Sequence, residues 1–266
     1  MSSVVVGTAK PWRGIGVANF VTATRPAAPT TGLIIYNTET EQVECWDGEK
    51  WFEVGVTQPP PISLYNSWGL NNSTSSTGEA ATPLNDVNGA TFTTSSKLGS
   101  HALSFDGSND YCRFECPNVN NTWSVGFWIY WRGHNSSGRS YLVDFRPAGE
   151  GNCYWLIDST NEMKYLQANG TERAISFTPT DNTWEHYALV SNDGGVAKIY
   201  RNGQLIDTGT QNGDTVSGNA NLGTYYGARG GSGQYFMNAI IDEFFFHSSP
   251  LTASQVFEIY NRTESF

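Results

Sequence analysis

Charge is scarce in this chain of 266 residues. Only 15% of them are Asp, Glu, Lys or Arg, and 25 acidic residues outnumber 15 basic ones, for a net charge of -10. Nucleic acid is held through its phosphates by clustered Lys and Arg, so this balance argues against a nucleic-acid partner. Long apolar runs are missing as well. None approaches the ~20 residues that a membrane helix needs, which argues against membrane insertion. The apolar stretch near the start runs only from Val4 to Val6, far short of the ~7–15 residues of a secretory h-region. The chain is therefore expected to fold where it is made. Cysteine is sparse: Cys45, Cys112, Cys116 and Cys153, with no C-x-x-C and no zinc-type spacing. Cys112 and Cys116, four apart on an extended segment, would stand ~13 Å from each other, beyond the ~7 Å reach of a disulfide. All four are expected to be reduced thiols.

Aromatics and glycine are plentiful. Nine Trp, thirteen Tyr and fourteen Phe supply bulk for a packed core, and 28 Gly punctuate the chain at short intervals. That combination excludes intrinsic disorder and predicts short strands joined by many turns. Gln58, Pro59, Pro60 and Pro61 form the clearest boundary, a stiff extended spacer by composition. It divides the chain into an arm and small β meander over residues 1–56, a linker over 57–61 and a large all-β domain over 62–266.

Several strands are legible from period-two alternation. Along Trp123–Trp131 one face carries Trp123, Val125, Phe127, Ile129 and Trp131, and the other Ser124, Gly126, Trp128 and Tyr130. Asn202 and Gly203 join two runs as a hairpin, because this pair tolerates the positive φ values of a two-residue type I′ turn. Ile240 to Phe246 reads as a near-continuous apolar strand that carries Asp242 and Glu243. The one convincing helix follows Pro250: Thr252 and Gln255 form a capping box, and Val256, Ile259 and Tyr260 an apolar stripe.

Five phrases in order carry a resemblance: Leu103–Tyr111 (LSFDGSNDY), Trp123–Trp131, Asn182–Val190 (NTWEHYALV), Ala197–Leu205 (AKIYRNGQL), and Ile241 through Tyr260. Leu84–Ala90 (LNDVNGA) precedes them as an Asn/Asp/Gly loop. Together they resemble the laminin-G-like, concanavalin A-like lectin/glucanase jelly rolls over about residues 62–262. The resemblance implies an all-β, two-sheet antiparallel jelly-roll sandwich with one short C-terminal helix. The segment at about 24–55, with Thr24–Thr40 followed by Val43–Trp51, resembles a motif of bacteriophage tail and head-fibre proteins. What this pairing implies is a non-enzymatic virion structural protein, a fibre or decoration component. It would be made in the host cytoplasm, would dock on capsid or tail proteins through its N-terminal part, and would form a homo-oligomer, expected as a trimer. Its lectin-like domain would meet a host cell-surface glycan. The alternative is a secreted carbohydrate-binding module or glucanase-related protein.

The family's glucanases place two carboxylates on one strand to flank a glycosidic bond. The Glu-x-Asp-x-(x)-Glu pattern is absent here, and adjacent Asp242 and Glu243 should point to opposite sides of a sheet, so no catalytic residue is expected. Many relatives carry a structural calcium between an early loop and the last strand. By that resemblance its ligands here would be Asp86, Asn88 and Asp242, and hard oxygens suit the ion. His186, flanked by apolar residues on a strand, reads as a half-buried structural histidine. Trp128 and Tyr130 read as sheet packing before sugar stacking. The candidate ligand-binding tip is the glycine-rich loop bearing Tyr225, Tyr226, Arg229 and Tyr235.

Overall fold

The structure is a computed structural model. It describes residues 18–27, 29–39, 42–46, 48–53, 62–120, 122–134, 138–145, 154–166, 172–175, 177, 179–192, 196–210, 215–224 and 235–266. The expected linker at 57–61 lies outside them, as do Trp12, Cys153, Tyr225, Tyr226 and Arg229. Two compact units divide the chain, Met1–Ile62 and Ser63–Phe266.

In the first unit β1 (Ala18–Phe20), β2 (Ile34–Asn37), β3 (Gln42–Trp46) and β4 (Trp51–Glu53) form one sheet in that order. The last three are the expected meander. The sequence pattern did not announce β1, which lies parallel to β2. Polar contacts do much of the holding. Glu44, almost wholly buried, accepts from Arg25 Nη1 at 2.8 Å and from Asn37 Nδ2 at 3.0 Å. The Trp46 and Trp51 rings meet 5.6 Å apart. Ile35 is fully buried, whereas Ile34 and Val21 stand exposed. So small a core supplies little stability by itself.

The second unit is a sandwich of two sheets. Its strands are β5 (Asn66–Trp68), β6 (Asn85–Asn88), β7 (Thr91–Thr93), β8 (Ala102–Asp106), β9 (Tyr111–Asn120), β10 (Trp123–Trp131), β11 (Ser140–Asp144) and β12 (Tyr154–Ile157). There follow β13 (Met163–Leu166), β14 (Glu172–Ile175), β15 (Trp184–Asn192), β16 (Val196–Arg201), β17 (Gln204–Thr210), β18 (Thr215–Leu222) and β19 (Asn238–His247), then helix α1 (Ala253–Tyr260). The first sheet runs β17-β16-β15-β10-β19-β8-β7, with β5 also on β19; the second runs β14-β13-β12-β11-β18-β9-β6. All its pairings are antiparallel. The architecture is the two-sheet jelly roll that the sequence implies.

Between the sheets lies the face of β10 read from alternation: Trp123, Val125, Phe127, Ile129 and Trp131 are all buried there. Aromatic rings dominate this core. Phe244 stacks on Trp68 at 5.0 Å and meets Phe114 edge-on at 4.8 Å, while Phe127 contacts Trp155 at 5.2 Å. Cys112 and Cys116 both face inward as free thiols, and burial pushes both thiols up, away from the reactive thiolate. The hairpin turn has φ of 48° at Asn202 and 76° at Gly203, as a type I′ turn requires. Gln255 N donates to Thr252 Oγ1 at 3.2 Å and Thr252 N to Gln255 Oε1 at 2.9 Å, completing the capping box of α1.

Gly126 is the tight point on the outward face of β10. A Cβ there would lie 2.6 Å from the Phe245 ring and 2.7 Å from the Tyr187 carbonyl oxygen. Gly126→Ala is therefore expected to destabilise the domain by about 1–3 kcal/mol through overpacking, read as a lower midpoint in urea unfolding with an unchanged slope.

Candidate functional site

The outward faces of the two sheets differ in chemistry. That of the first sheet is largely roofed over. Trp128 and His186 lie on it beneath α1, and Phe245 beneath Phe266: the Tyr260 ring stacks on Trp128 at 5.4 Å, and Trp128 meets His186 edge-on at 5.4 Å. His186 is completely buried rather than half-buried, and burial pushes its imidazole down to about 3. Neither ring nitrogen has a hydrogen-bond partner among the described residues. Trp128 is packed, as expected, yet under the helix and not between the sheets. Tyr130 is half-buried beside Trp184, at 5.6 Å.

Adjacent Asp242 and Glu243 correct the alternation argument. Gly126 pairs with Phe245 but Trp128 with Asp242, so β19 carries an extra residue between them. Glu243 takes it up at φ 48°. Such a bulge puts two successive side chains on one face. Both carboxyls are buried there and engaged by donors. Asp242 Oδ2 accepts from the Lys97 and Leu98 N–H groups at 2.7 and 3.0 Å, and its Oδ1 from Glu243 N at 2.9 Å. Glu243 accepts from the Ser265 hydroxyl and, at 2.8 Å, from Phe266 N. Burial outweighs these bonds and raises Asp242 to about 6 and Glu243 to about 7.

The expected calcium ligands are not brought together. Asp86 lies on β6 in the second sheet and forms an ion pair with Arg113 at 2.8 Å. Asn88 donates through Nδ2 to the Asn109 carbonyl at 2.8 Å, and Asp242 belongs to the first sheet. A guanidinium at one carboxylate and three N–H donors at the other leave no shared cation cage. Among the described residues no cluster of three His, Cys, Asp or Glu side chains could hold a metal. The residues do not fit the ion.

The outward side of the second sheet carries the candidate site, a largely buried polar and aromatic cluster that reaches the surface at Arg113 and Tyr235. Register aligns Arg113 on β9 with Asn221 on β18, Asn221 with Asp144 on β11, and Asp144 with Tyr154 on β12. Arg113 Nε donates to Asn221 Oδ1 at 3.3 Å. Asn221 and Asp144 are completely buried, and Asn221 Nδ2 finds no acceptor among the described residues. Beside this polar row lies an aromatic cluster apart from the main core: Tyr141, Tyr154 and Leu156, with Tyr235 packed against them. Tyr141 lies 5.1 Å from Tyr154 and 5.9 Å from Tyr235. Of the four residues proposed for a binding tip, Tyr235 is thus placed on this face. Rings beside a carboxylate, an amide and a guanidinium suit a sugar, which offers both an apolar ring face and paired hydroxyls.

A family model described as the concanavalin A-like lectin/glucanases superfamily matches residues 106–257. The chain belongs to that superfamily. No curated protein matches it. Among solved structures it is similar to domain 4 of AbnA, an extracellular arabinanase of Geobacillus stearothermophilus, in complex with arabinotriose. There the identity is 18% and the TM-score 0.57, over 76% of this chain and 100% of that one. It also resembles the binding domain of Paraclostridial Mosquitocidal Protein 1, at 16% identity and TM-score 0.60, over 75% of this chain and 52% of that one. A third likeness is to the ligand binding domain of botulinum neurotoxin serotype D in complex with N-acetylneuraminic acid, at 15% identity and TM-score 0.57, over 74% and 50%. The chain therefore spans about half the length of the toxin domains it matches, and at these identities the likeness is one of fold.

The buried carboxyls generate a pH prediction. Their folded-state values lie above the ordinary 3.8 and 4.5, so the stability they allow is fully present below about pH 4 and is lost as pH rises through 6 to 7. Glu243→Gln should remove much of that loss, worth on the order of 3 kcal/mol at full ionisation. Urea midpoints compared at pH 5 and pH 8 for the native chain and the variant check it.

Proposed function

We propose that the jelly roll is a non-catalytic carbohydrate-binding module whose ligand seats on the outward side of the second sheet, at the half-buried Tyr235 edge of the cluster that the buried Tyr141 and Tyr154 complete. The single observation that carries this reading is that ring cluster lying beside Asp144, Asn221 and Arg113. In support, domain 4 of the arabinanase and the serotype D toxin domain were each solved with a sugar. A binding role is favoured over hydrolysis by the state of Asp242 and Glu243. Both are buried, and their oxygens are spent on N–H and O–H donors, out of reach of a glycosidic bond.

On the same reading the chain is a bacteriophage fibre or decoration component, made in the host cytoplasm, that displays this module toward a host-surface glycan. The first unit would dock on capsid or tail proteins or join two copies of itself in a trimer. Support for this comes from the fibre-like segment at about 24–55 and from the thin core of its sheet, which leaves Val21 and Ile34 exposed.

Arabinotriose and a set of neutral and sialylated oligosaccharides, titrated into the full chain, test the binding reading. Tyr154→Ala should weaken the best ligand at least tenfold, about 1.4 kcal/mol, and Tyr235→Ser at the cluster's more exposed edge should weaken it as well. Unchanged affinity in both variants would refute the site. A chain starting at Ser63 should remain a soluble monomer with a cooperative melt, whereas the full chain should be oligomeric. Mass spectrometry of purified phage particles separates a virion protein from a secreted carbohydrate-binding module.

A further inference from the structure

A recess lies on the first sheet. Lys97, Leu98, Trp128, Tyr260, Asn261, Arg262 and Thr263 enclose a cleft of about 400 Å³ where the roof of the first sheet ends. Its walls come from three parts of the chain: the loop before β8, the middle of β10, and the turn that leaves α1.

The electrostatics of this cleft run against those of the whole molecule. The chain has a net charge of -10, yet the two charged residues lining the cleft are both cations. Lys97 Nζ sits 4.2 Å above the centre of the Trp128 ring, held by a cation–π contact and by no carboxylate among the described residues. The Arg262 guanidinium lies 4.4 Å over the Phe266 ring, with only a long contact of 3.5 Å to the Ser265 carbonyl. Of the acids beneath the cleft, Asp242 is buried behind the Lys97 and Leu98 N–H groups it accepts from, and Glu243, also buried, is held by Ser265 and Phe266 and attracts the Arg262 guanidinium from below. Burial also favours their neutral forms. Helix-end carbonyls are moderated too, since Asn261 N donates to Phe257 O and Arg262 N to Ile259 O.

We infer that this cleft is a separate subsite for a carboxylate-bearing sugar, a uronate or sialate unit of an acidic glycan. Lys97 and Arg262 would meet the carboxylate from two sides. The Tyr260 ring offers an apolar wall for the sugar face, and the Asn261 and Thr263 side chains offer polar groups to its hydroxyls. The volume suits one sugar ring and part of a second, not an extended chain.

The test titrates trigalacturonate into the full chain by calorimetry at ~20 mM salt, with maltotriose as the neutral control and sodium acetate as the bare carboxylate. At this ionic strength exposed charges act over ~20 Å or more. Trigalacturonate should bind at least tenfold more tightly than maltotriose. Lys97→Gln and Arg262→Gln should each weaken it about fivefold or more, and the double variant should abolish it. Both side chains are exposed, so the variants should stay folded, and a melting curve at pH 5, where Glu243 is neutral, checks this for Arg262→Gln. Tyr154→Ala should leave trigalacturonate binding intact, which separates failure of this subsite from failure of the face on the second sheet. No binding, equal affinity for maltotriose, insensitivity to both Gln variants, or equal displacement by acetate would each overturn the inference.

Discussion

The bulge in β19 is the constraint on which the rest of the large domain depends. On one edge this strand pairs with β8 through Asn238–Ile241 and then with β5 through Phe244–Phe246. Asp242 and Glu243 occupy the step between. With neither partner strand alongside, the edge admits backbone N–H groups from the loop at Lys97 and from Phe266. The carboxyls are what those N–H groups bind, so two acids become buried where an unbroken strand would have buried one. The same step lets Phe244 and Phe246 continue into the core while Phe245 faces the helix side.

From that step the two outward faces take different fates. On the first sheet, the segment anchored by Glu243 and the helix before it cover Trp128, His186 and Phe245. At its rim a recess stays open between Lys97 and Arg262. The second sheet has no helix against it among the described residues. Its polar row is built from cross-strand neighbours, tied by the Arg113–Asn221 hydrogen bond and an ion pair at the β6 edge. Such networks fix side-chain positions as well as adding stability.

The fold was legible because alternation and turn chemistry are local. The inward face of β10, the Asn202–Gly203 turn and the Thr252–Gln255 cap each need only a few neighbouring residues to specify them. The site was much less legible. Tyr141 and Tyr154 lie in runs, Ser140–Asp144 and Tyr154–Ile157, where every residue is buried, so no pattern distinguishes an outward tyrosine from an inward one. The pairing of Arg113 with Asn221, 108 positions apart, is set by sheet register, which no spacing in the chain encodes. Asp242 and Glu243 were misread for a simple reason. A pleat argument assumes one residue per step, and a bulge adds one. For the expected calcium ligands the resemblance located residue types, whereas the sheets set their partners: Asp86 pairs with Arg113 on one sheet and Asp242 with backbone N–H groups on the other.

Tyr141 and Tyr154 project from strands whose opposite faces are packed into the core. A ligand bound as proposed at the Tyr235 edge would find a floor that is already ordered, so little conformational entropy would be surrendered on the protein side. Residues outside those strands can then change without disturbing either the floor or the core beneath it. If the proposed binding holds, affinity for the general shape of a sugar and preference for a particular one would reside in separable parts of the chain. A surface arranged this way can be turned toward a new glycan in a few substitutions while the fold is left alone.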